Sequence, residues 1–339
     1  MNAARFNTLT TGYPHLRIAI VGDFCLDRYL EIDPARQEIS IETGLPVHNV
    51  VNVRSQPGAA GTILNNLVAL GVGSIYPVGF VGVDGEGFEL RRALEALSGV
   101  KLTYFLETTQ RRTFTYCKPL VVQTGKAPVE LSRLDSKNWT PTPALLQGRL
   151  VDSVCTVSTR VDAMILMDQV DVPETGVVTR KVHDAIRDVT QQNPALLILA
   201  DSRRGLSGYH PVCFKMNAGE LSALTGAKTG LSLEEIQHVA LTLARNHGHP
   251  VFVTLSERGI LGAAPTGEVE HVPCHPVRGE IDVVGAGDAV MANLTAALAA
   301  RATLRESLEL ANAAASVVIH QLGTTGTATV SDLRQQLTC

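Results

Sequence analysis

Ile281-Asp282-Val283-Val284-Gly285-Ala286-Gly287-Asp288 is a strand-like apolar run that breaks into Gly-Ala-Gly-Asp and passes into helix-like sequence over 289–301. Two glycines let backbone N–H groups approach an anion with no Cβ in the way, and the new helix adds the positive end of its dipole. With a carboxylate beside them, the segment is a place to hold a transferring phosphoryl group next to a base. The same residues permit a plainer reading, in which Asp288 caps the helix after a flexible turn. The rest of the chain bears on the choice.

Outward from this stretch, short apolar runs recur at 17–21, 75–83, 163–167, 196–200, 212–216 and 251–255. Helically spaced segments lie between them at 63–70, 88–97, 179–191, 233–245 and 304–321. This alternation predicts an α/β fold, a doubly wound, mainly parallel sheet with helices on both faces. Asp23, Asp168, Asp201, Asn217 and Ser256 each follow the end of such a run, and open α/β sheets bind ligands beyond the carboxyl ends of their strands. These residues and Asp288 are therefore expected on one rim. The stretches 28–53 and 101–135 fit the alternation poorly, being rich in Thr, Val, Ile and Tyr with period-two patterning at Arg112-Thr113-Phe114-Thr115-Tyr116. They read as extra antiparallel strands forming a small lid, inserted in a single domain over 1–339; a pair of long surface loops is the alternative. A lid suits chemistry that must exclude water.

The bulk composition agrees with an enzyme of small molecules. A chain of 339 residues, 45% hydrophobic and 18% charged, can bury a large core. With 29 Lys and Arg against 33 Asp and Glu, the formal charge of -4 leaves no basic footprint for nucleic acid or an anionic membrane. No run approaches the ~20 apolar residues of a membrane span, and a cytoplasmic protein is expected. Cys25, Cys117, Cys155, Cys213, Cys274 and Cys339 are scattered without a Cys-x-x-Cys pair, which argues against a zinc site or a disulfide framework. His247, His249, His271, Cys274 and His275 fall in Gly- and Pro-bearing sequence and read as loop residues.

Five segments then carry a resemblance: 22–29 (Gly-Asp-Phe-Cys-Leu-Asp-Arg-Tyr), Pro57-Gly58-Ala59-Ala60-Gly61 through Asn66 to Gly71, Asn217-Ala218-Gly219-Glu220, the stretch from Asp282 to Asp288, and 311–323. In this order and spacing the chain resembles the ribokinase-like (PfkB-type) sugar kinase family over nearly its whole length, with kinases of heptose 7-phosphate as the nearest likeness. The resemblance implies ATP as donor, Mg2+ as its counter-ion and a sugar or sugar phosphate as acceptor. Asp288 matches the catalytic base, and the N–H groups of Gly285, Ala286 and Gly287 match the anion hole. Asn217 and Glu220 match an Asn-x-x-Glu that organises the Mg2+ water shell; a first-turn acid favoured by the helix dipole is the plainer account of Glu220. Thr254, Ser256 and Gly259 match a nucleotide loop in which Ser256 stands where Gly is usual, and Asn312 matches a residue of the adenine pocket.

On the acceptor side, Asp27 matches a carboxylate that grips sugar hydroxyls, with Gly58, Ala59, Thr62 and Asn66 in the loop approaching the ring. Two departures fall here. The family's Gly-Gly-Ala-Ala-Asn becomes Gly58-Ala59-Ala60-Gly61-Thr62, and the Asp-Tyr-x-Lys-Gly of heptose kinases is replaced by Asp168-Gln169-Val170-Asp171. Lys118 and Arg133 are favoured over Arg112, Arg203 and Arg204 to hold a phosphate already on the acceptor. Asp282, the carbonyl of Val284, Gly323 and Thr327 match a monovalent-cation site, for which K+ is the implied ion. A homodimer through the edges of the lid strands is also implied. The rival functions are a catalytically silent sugar or nucleotide binder, a nucleoside kinase, and a dinucleotide oxidoreductase; the last lacks a G-x-G-x-x-G after the first strand.

Overall fold

The computed structural model describes residues 1–337, so Cys339 lies outside it; the other five cysteines are free thiols. Nine strands form the main sheet in the order Val269–Val272, Ile260–Ala263, Val251–Thr254, Cys213–Asn217, Leu197–Ser202, Ala163–Asp168, Arg17–Gly22, Ser74–Gly82, Phe105–Thr108. All neighbours are parallel except at the first end, where the two strands from 260 and 269 run antiparallel. Alternate residues of each central strand enter two different cores. Ile18, Ile20 and Ile165 pack with the helices Ala60–Ala69, Ala286–Ala299 and Leu304–Val318, whereas Ala19, Val21 and Leu166 pack with Ala144–Ser158, Arg180–Gln192 and Leu233–His247. Burial on both faces is why these strands read as unbroken apolar runs.

A second sheet stands over the carboxyl end of the first, with the order Leu134–Ser136, Phe114–Val121, Phe24–Ile32, Val50–Ala59 and the short Val129–Glu130 beside Phe114–Val121. It is mixed: Phe24–Ile32 pairs parallel with Phe114–Val121 and antiparallel with Val50–Ala59. Its outer face is tied to the helix Gly85–Glu95, where Glu89 accepts from Arg28 and from Ser55, each at 2.8 Å.

Three local readings are corrected. Residues 105–108 fall in the stretch read as lid but form the edge of the main sheet, in parallel register with 79–82. The helix Ala144–Ser158 was missed, because its apolar positions are interrupted by Gly148, Asp152 and Ser153. Residues 281–284 are not a strand: Ile281, Val283 and Val284 are exposed and have no ladder partner. No helix among the described residues is long and apolar enough to cross a membrane.

Candidate active site

Gly285 adopts φ +84° as the N-cap of Ala286–Ala299, a left-handed conformation that glycine enters without the Cβ penalty. Asp288 is therefore the third residue of the helix, and it makes no capping bond. Among the described residues nothing donates a hydrogen bond or ion pair to its carboxylate, which removes the helix-cap explanation of the residue. Burial, with Asp201 and Asp27 nearby, outweighs the attraction of Lys215 and raises its pKa to about 7. A carboxylate so placed takes up a proton near neutral pH. The N–H groups of Gly285 and Gly287 have no acceptor among the described residues, as expected of a helix start. That of Ala286 differs from expectation, since it donates to the Val283 carbonyl at 3.2 Å.

A cation stands beside the cradle. Lys215 is buried on Cys213–Asn217, and its Nζ lies 2.6 Å from Asp201 Oδ2. The same Nζ would stand 3.1 Å from a Cβ added at Gly287, so the ammonium packs against the bare α-carbon of the cradle. Burial alone would lower its pKa; Asp201, Asp288 and Glu220 together hold it above the ordinary value. Sequence reasoning missed this lysine. The available signal was a lone Lys within the apolar run Val212-Cys213-Phe214-Lys215-Met216, two residues before the rim residue Asn217.

Asn217 ends that strand and caps the next helix. Its Oδ1 accepts from Glu220 N at 2.9 Å while Glu220 Oε2 accepts from Asn217 N at 2.7 Å. The pair is thus a capping box with one Glu220 oxygen left over, and burial raises the Glu220 pKa. Among the described residues no group of three His, Cys, Asp or Glu could hold a metal ion. A hydrated Mg2+ that arrives on phosphates and meets one carboxylate through water suits such a donor set.

Beside the cradle a largely apolar pocket is lined by Ile281, Val283, Gly259, Thr254, Ser256 and Asn312. This pocket accounts for the exposure of Ile281 and Val283. Asn312 donates to the Pro273 carbonyl at 2.8 Å, fixing its amide at the pocket wall. Ser256 has φ +52°, a conformation that favours glycine. On the other flank of Gly285 lies the turn containing Gly323 and Thr327, whose Thr325 comes within 3.4–3.6 Å of a Cβ added at Gly285. Gln321 closes this turn through both the N–H and the carbonyl of Thr327. Asp282 Oδ1 accepts from Val284 N at 3.0 Å, which uses part of its carboxylate locally.

The acceptor side is built from the inner face of the lid. Register sets Gln56, Asp27, Tyr116 and Asp135 in one row, Gly58, Cys25 and Phe114 in the next, and Arg54, Tyr29 and Lys118 in the one beyond. A Cβ at Gly58 would fall 2.5 Å from Asp27 Oδ2, so glycine is required for the loop to lie against that carboxylate. Burial raises the Asp27 pKa against the opposing pull of Lys118 and Arg133. Among the described residues the Lys118 Nζ meets Tyr29, 5.0 Å from the ring centroid and 3.5 Å from the hydroxyl, whereas Arg133 is paired with Asp135 at 2.8 Å over the Tyr116 ring.

Other candidates lie deeper than the sequence suggested. Thr62 and Asn66 are buried, and the Asn66 amide donates to the carbonyls of Thr62 and Gly326 instead of facing an acceptor. Asp23 and Asp168 lie beneath the rim. Asp168 is closed off by Arg204 at 2.6 Å, Tyr209 at 2.9 Å and Ser202 at 3.1 Å, so Arg204 is committed to it. Ala59 holds φ +54° and ψ -118°, a strained setting for a residue with a Cβ.

Comparison with known proteins shows the family and the fold. The model of the pfkB family carbohydrate kinases matches residues 18–330. The bifunctional protein HldE of Bradyrhizobium sp. (strain ORS 278) is 29% identical over 98% of this chain and 65% of its own length. The chain thus spans a little under two thirds of that relative. Among solved structures, Escherichia coli phosphofructokinase-2 in complex with substrates and products superposes with a TM-score of 0.74 at 19% identity, over 95% of this chain and 98% of its own. Arabidopsis thaliana ribokinase complexed with ribose and ATP gives 0.67 at 19% identity, over 96% and 99%.

Proposed function

Because the chain belongs to the pfkB family of carbohydrate kinases, phosphotransferases that act on a sugar hydroxyl, we propose that it phosphorylates a sugar phosphate of the heptose 7-phosphate type from ATP, with Asp288 as the general base. The observation that carries this reading is the unpartnered Asp288 carboxylate at the mouth of the Gly285–Gly287 cradle, with the Lys215 ammonium packed against Gly287.

Asp288 takes the proton from the acceptor hydroxyl as its oxygen attacks the γ-phosphorus in line. The N–H groups of Gly285 and Gly287 and the ammonium of Lys215 hold the phosphoryl oxygens, where negative charge moves toward the leaving group. Asp201 keeps Lys215 charged and aimed. Mg2+, when bound, would neutralise charge on the donor phosphates, and Glu220 with Asn217 would hold it through its waters. Thr254, Ser256, Gly259 and Asn312 receive the nucleotide. Asp27 and the Gly58–Ala59 loop grip the sugar hydroxyls. Lys118, a half-buried cation with no carboxylate within ion-pair distance among the described residues, receives the acceptor's phosphate together with Arg133. The flank formed by Asp282, the Val284 carbonyl, Gly323 and Thr327 takes K+.

Exposed Val50, Val51 and Val53 on the edge strand Val50–Ala59, with Ile39, Ile41 and Leu45 in the preceding hairpin of Glu38–Ile39 and Pro46–Val47, support a homodimer through the lid. A cytoplasmic site of action follows from the nucleotide donor. A panel of heptose 7-phosphate, fructose 6-phosphate, ribose and adenosine, with ADP formation as the signal, tests the reading. Turnover is expected with the heptose phosphate above the other three, and no turnover with it, or preferred turnover of another acceptor, would reject the reading.

A further inference from the structure

The carboxylate of Asp23 is a buried charge that the reaction above leaves unused. Only 2% of the residue is exposed, and no cation pairs with it among the described residues. Burying a carboxylate without a counter-ion is costly unless directed N–H groups replace its water. Here Oδ2 accepts from Gln169 N at 2.9 Å and Oδ1 accepts from Val177 N at 2.7 Å. These donors are the two ends of one loop, which leaves the strand Ala163–Asp168 and returns at Val177. Along its course Gln169, Val170, Asp171, Val172 and Thr175 wall a cleft whose opposite side is Cys25, Phe114 and Tyr116 from the inner face of the lid.

The backbone of Asp23 extends the same grip. Its N–H donates to the Met167 carbonyl at 3.1 Å, and its carbonyl accepts from Ala60 N at 3.1 Å, next to the strained Ala59. Close packing confirms that the loop is fitted to this carboxylate, since a Cβ at Gly176 would fall 2.4 Å from Asp23 Oδ1. From outside, Thr142 fastens the same turn, its Oγ1 donating to the Gly176 carbonyl at 2.7 Å.

From this geometry we infer that Asp23 is a positioning residue for the acceptor: it clamps both ends of the 169–177 loop and so sets the wall against which the distal part of a sugar phosphate packs. It touches neither the nucleotide pocket nor the cradle at 285–288. The inference rests on the acceptor reading given above and extends it to a residue that contacts no reacting atom. Burial and the neighbouring Asp168 push the Asp23 pKa upward, against the pull of the backbone N–H groups of Val177, Gln169 and Val170.

The chain's one tryptophan, Trp139, lines this cleft, so its emission reports occupancy without any turnover. Asp23→Asn keeps the shape but turns one N–H-accepting oxygen into a donor. Titrating Trp139 emission with heptose 7-phosphate should give an affinity weaker by about tenfold or more, with Mg-AMP-PNP affinity by calorimetry within about twofold of wild type. Amide exchange should accelerate within 169–177 and stay unchanged at 215–220 and 285–290. Gly176→Ala should give the same acceptor-only loss with the carboxylate intact, and decides alone by these criteria if Asp23→Asn does not fold. Acceptor affinity within about twofold of wild type in these variants, or equal losses for both ligands, overturns the role. Failure of the wild-type protein to bind heptose 7-phosphate would instead reject the acceptor assignment, and the exchange pattern then decides the role of Asp23: localised acceleration supports it and no acceleration overturns it.

Discussion

In the proposed reading, one turn of chain from Gly285 to Asp288 supplies both free N–H donors and the carboxylate at the phosphate end, whereas the acceptor end draws Asp27, Gly58, Lys118 and Arg133 from separate parts of the lid. The contrast has a physical origin. A helix start presents N–H groups and a positive dipole end by local geometry alone, so a phosphoryl site needs few residues and tolerates little change among them. Recognition of hydroxyls and a second phosphate needs groups spread over several ångströms, which a sheet of paired strands provides row by row. Most departures from the family pattern fall in the segments assigned to the acceptor, at Ala59, Thr62 and 168–171, with Ser256 the departure in the nucleotide loop, while Gly285, Gly287 and Asp288 are kept.

The comparison would break most sharply at Asp288. Asp288→Asn should lower kcat by at least ~10²-fold and leave Mg-AMP-PNP affinity within a small factor, measured by steady-state kinetics and calorimetry. The same change should stabilise the protein. In the fold the carboxyl pKa stands at about 7 against 3.8 in an ordinary setting, so the fold prefers the protonated form. That contribution is fully present below about pH 4 and is lost as pH rises through about 7. The Asn variant should therefore gain in Tm over wild type as pH is raised from 4 to 8; a Tm difference independent of pH would remove the unpaired-charge account.

Lys215 tests whether the phosphate end is as local as it looks, because it reaches the cradle from a distant strand. Lys215→Met should lower kcat by about 10²-fold, the loss of one charged donor to developing charge. It also strands Asp201, and breaking a buried pair typically costs about 3–5 kcal/mol. Adding Asp201→Asn should recover much of the lost Tm while kcat stays low. Recovery of kcat along with Tm would show that Lys215 serves stability alone.

At the acceptor end the corresponding probe is Gly58→Ala. Its methyl would enter the space of the Asp27 carboxylate and the Cys25 thiol, at 2.5 and 2.8 Å, so the loop or the carboxylate must move. Acceptor KM should rise by about tenfold or more with ATP KM little changed. Equal effects on both substrates would mean that the two ends are not separable in this way.

The same division decides how much of the molecule could be read from the chain. Strands such as Arg17–Gly22 and Ala163–Asp168 are apolar apart from a charged end residue because both faces are covered, and they stood out as runs. The Gly-Ala-Gly-Asp turn was legible because its chemistry is contiguous. Lys215 was not, since its partner Asp201 lies on the neighbouring strand and only the sheet brings them to 2.6 Å. The edge strand Phe105–Thr108 was assigned to the lid because four residues carry no periodicity that separates one sheet from another. Asp23 and Asp168 looked like rim residues from their place after apolar runs, yet they point under the rim; strand position fixes where a residue is, and loop packing fixes what it faces.

The smallest effects separate the two ends by strain. Ala59 and Ser256 stand where the family pattern has glycine, and both have positive φ, +54° beside the acceptor and +52° beside the nucleotide. Their settings are unequal. Ala59 has ψ -118°, outside the left-handed helical basin, whereas Ser256 is held in a tight turn between Leu255 and Gly259. Removing a Cβ relieves strain of roughly 1–3 kcal/mol at such a position, but glycine returns about 0.4–1 kcal/mol of chain entropy to the unfolded state. Ala59→Gly should therefore raise Tm by a degree or two, and Ser256→Gly should be close to neutral, with kcat unchanged in both. Equal Tm gains would show that the two strains are alike, and a rise in acceptor KM on Ala59→Gly would show that the methyl group, which lies in the cleft wall, contributes to holding the sugar.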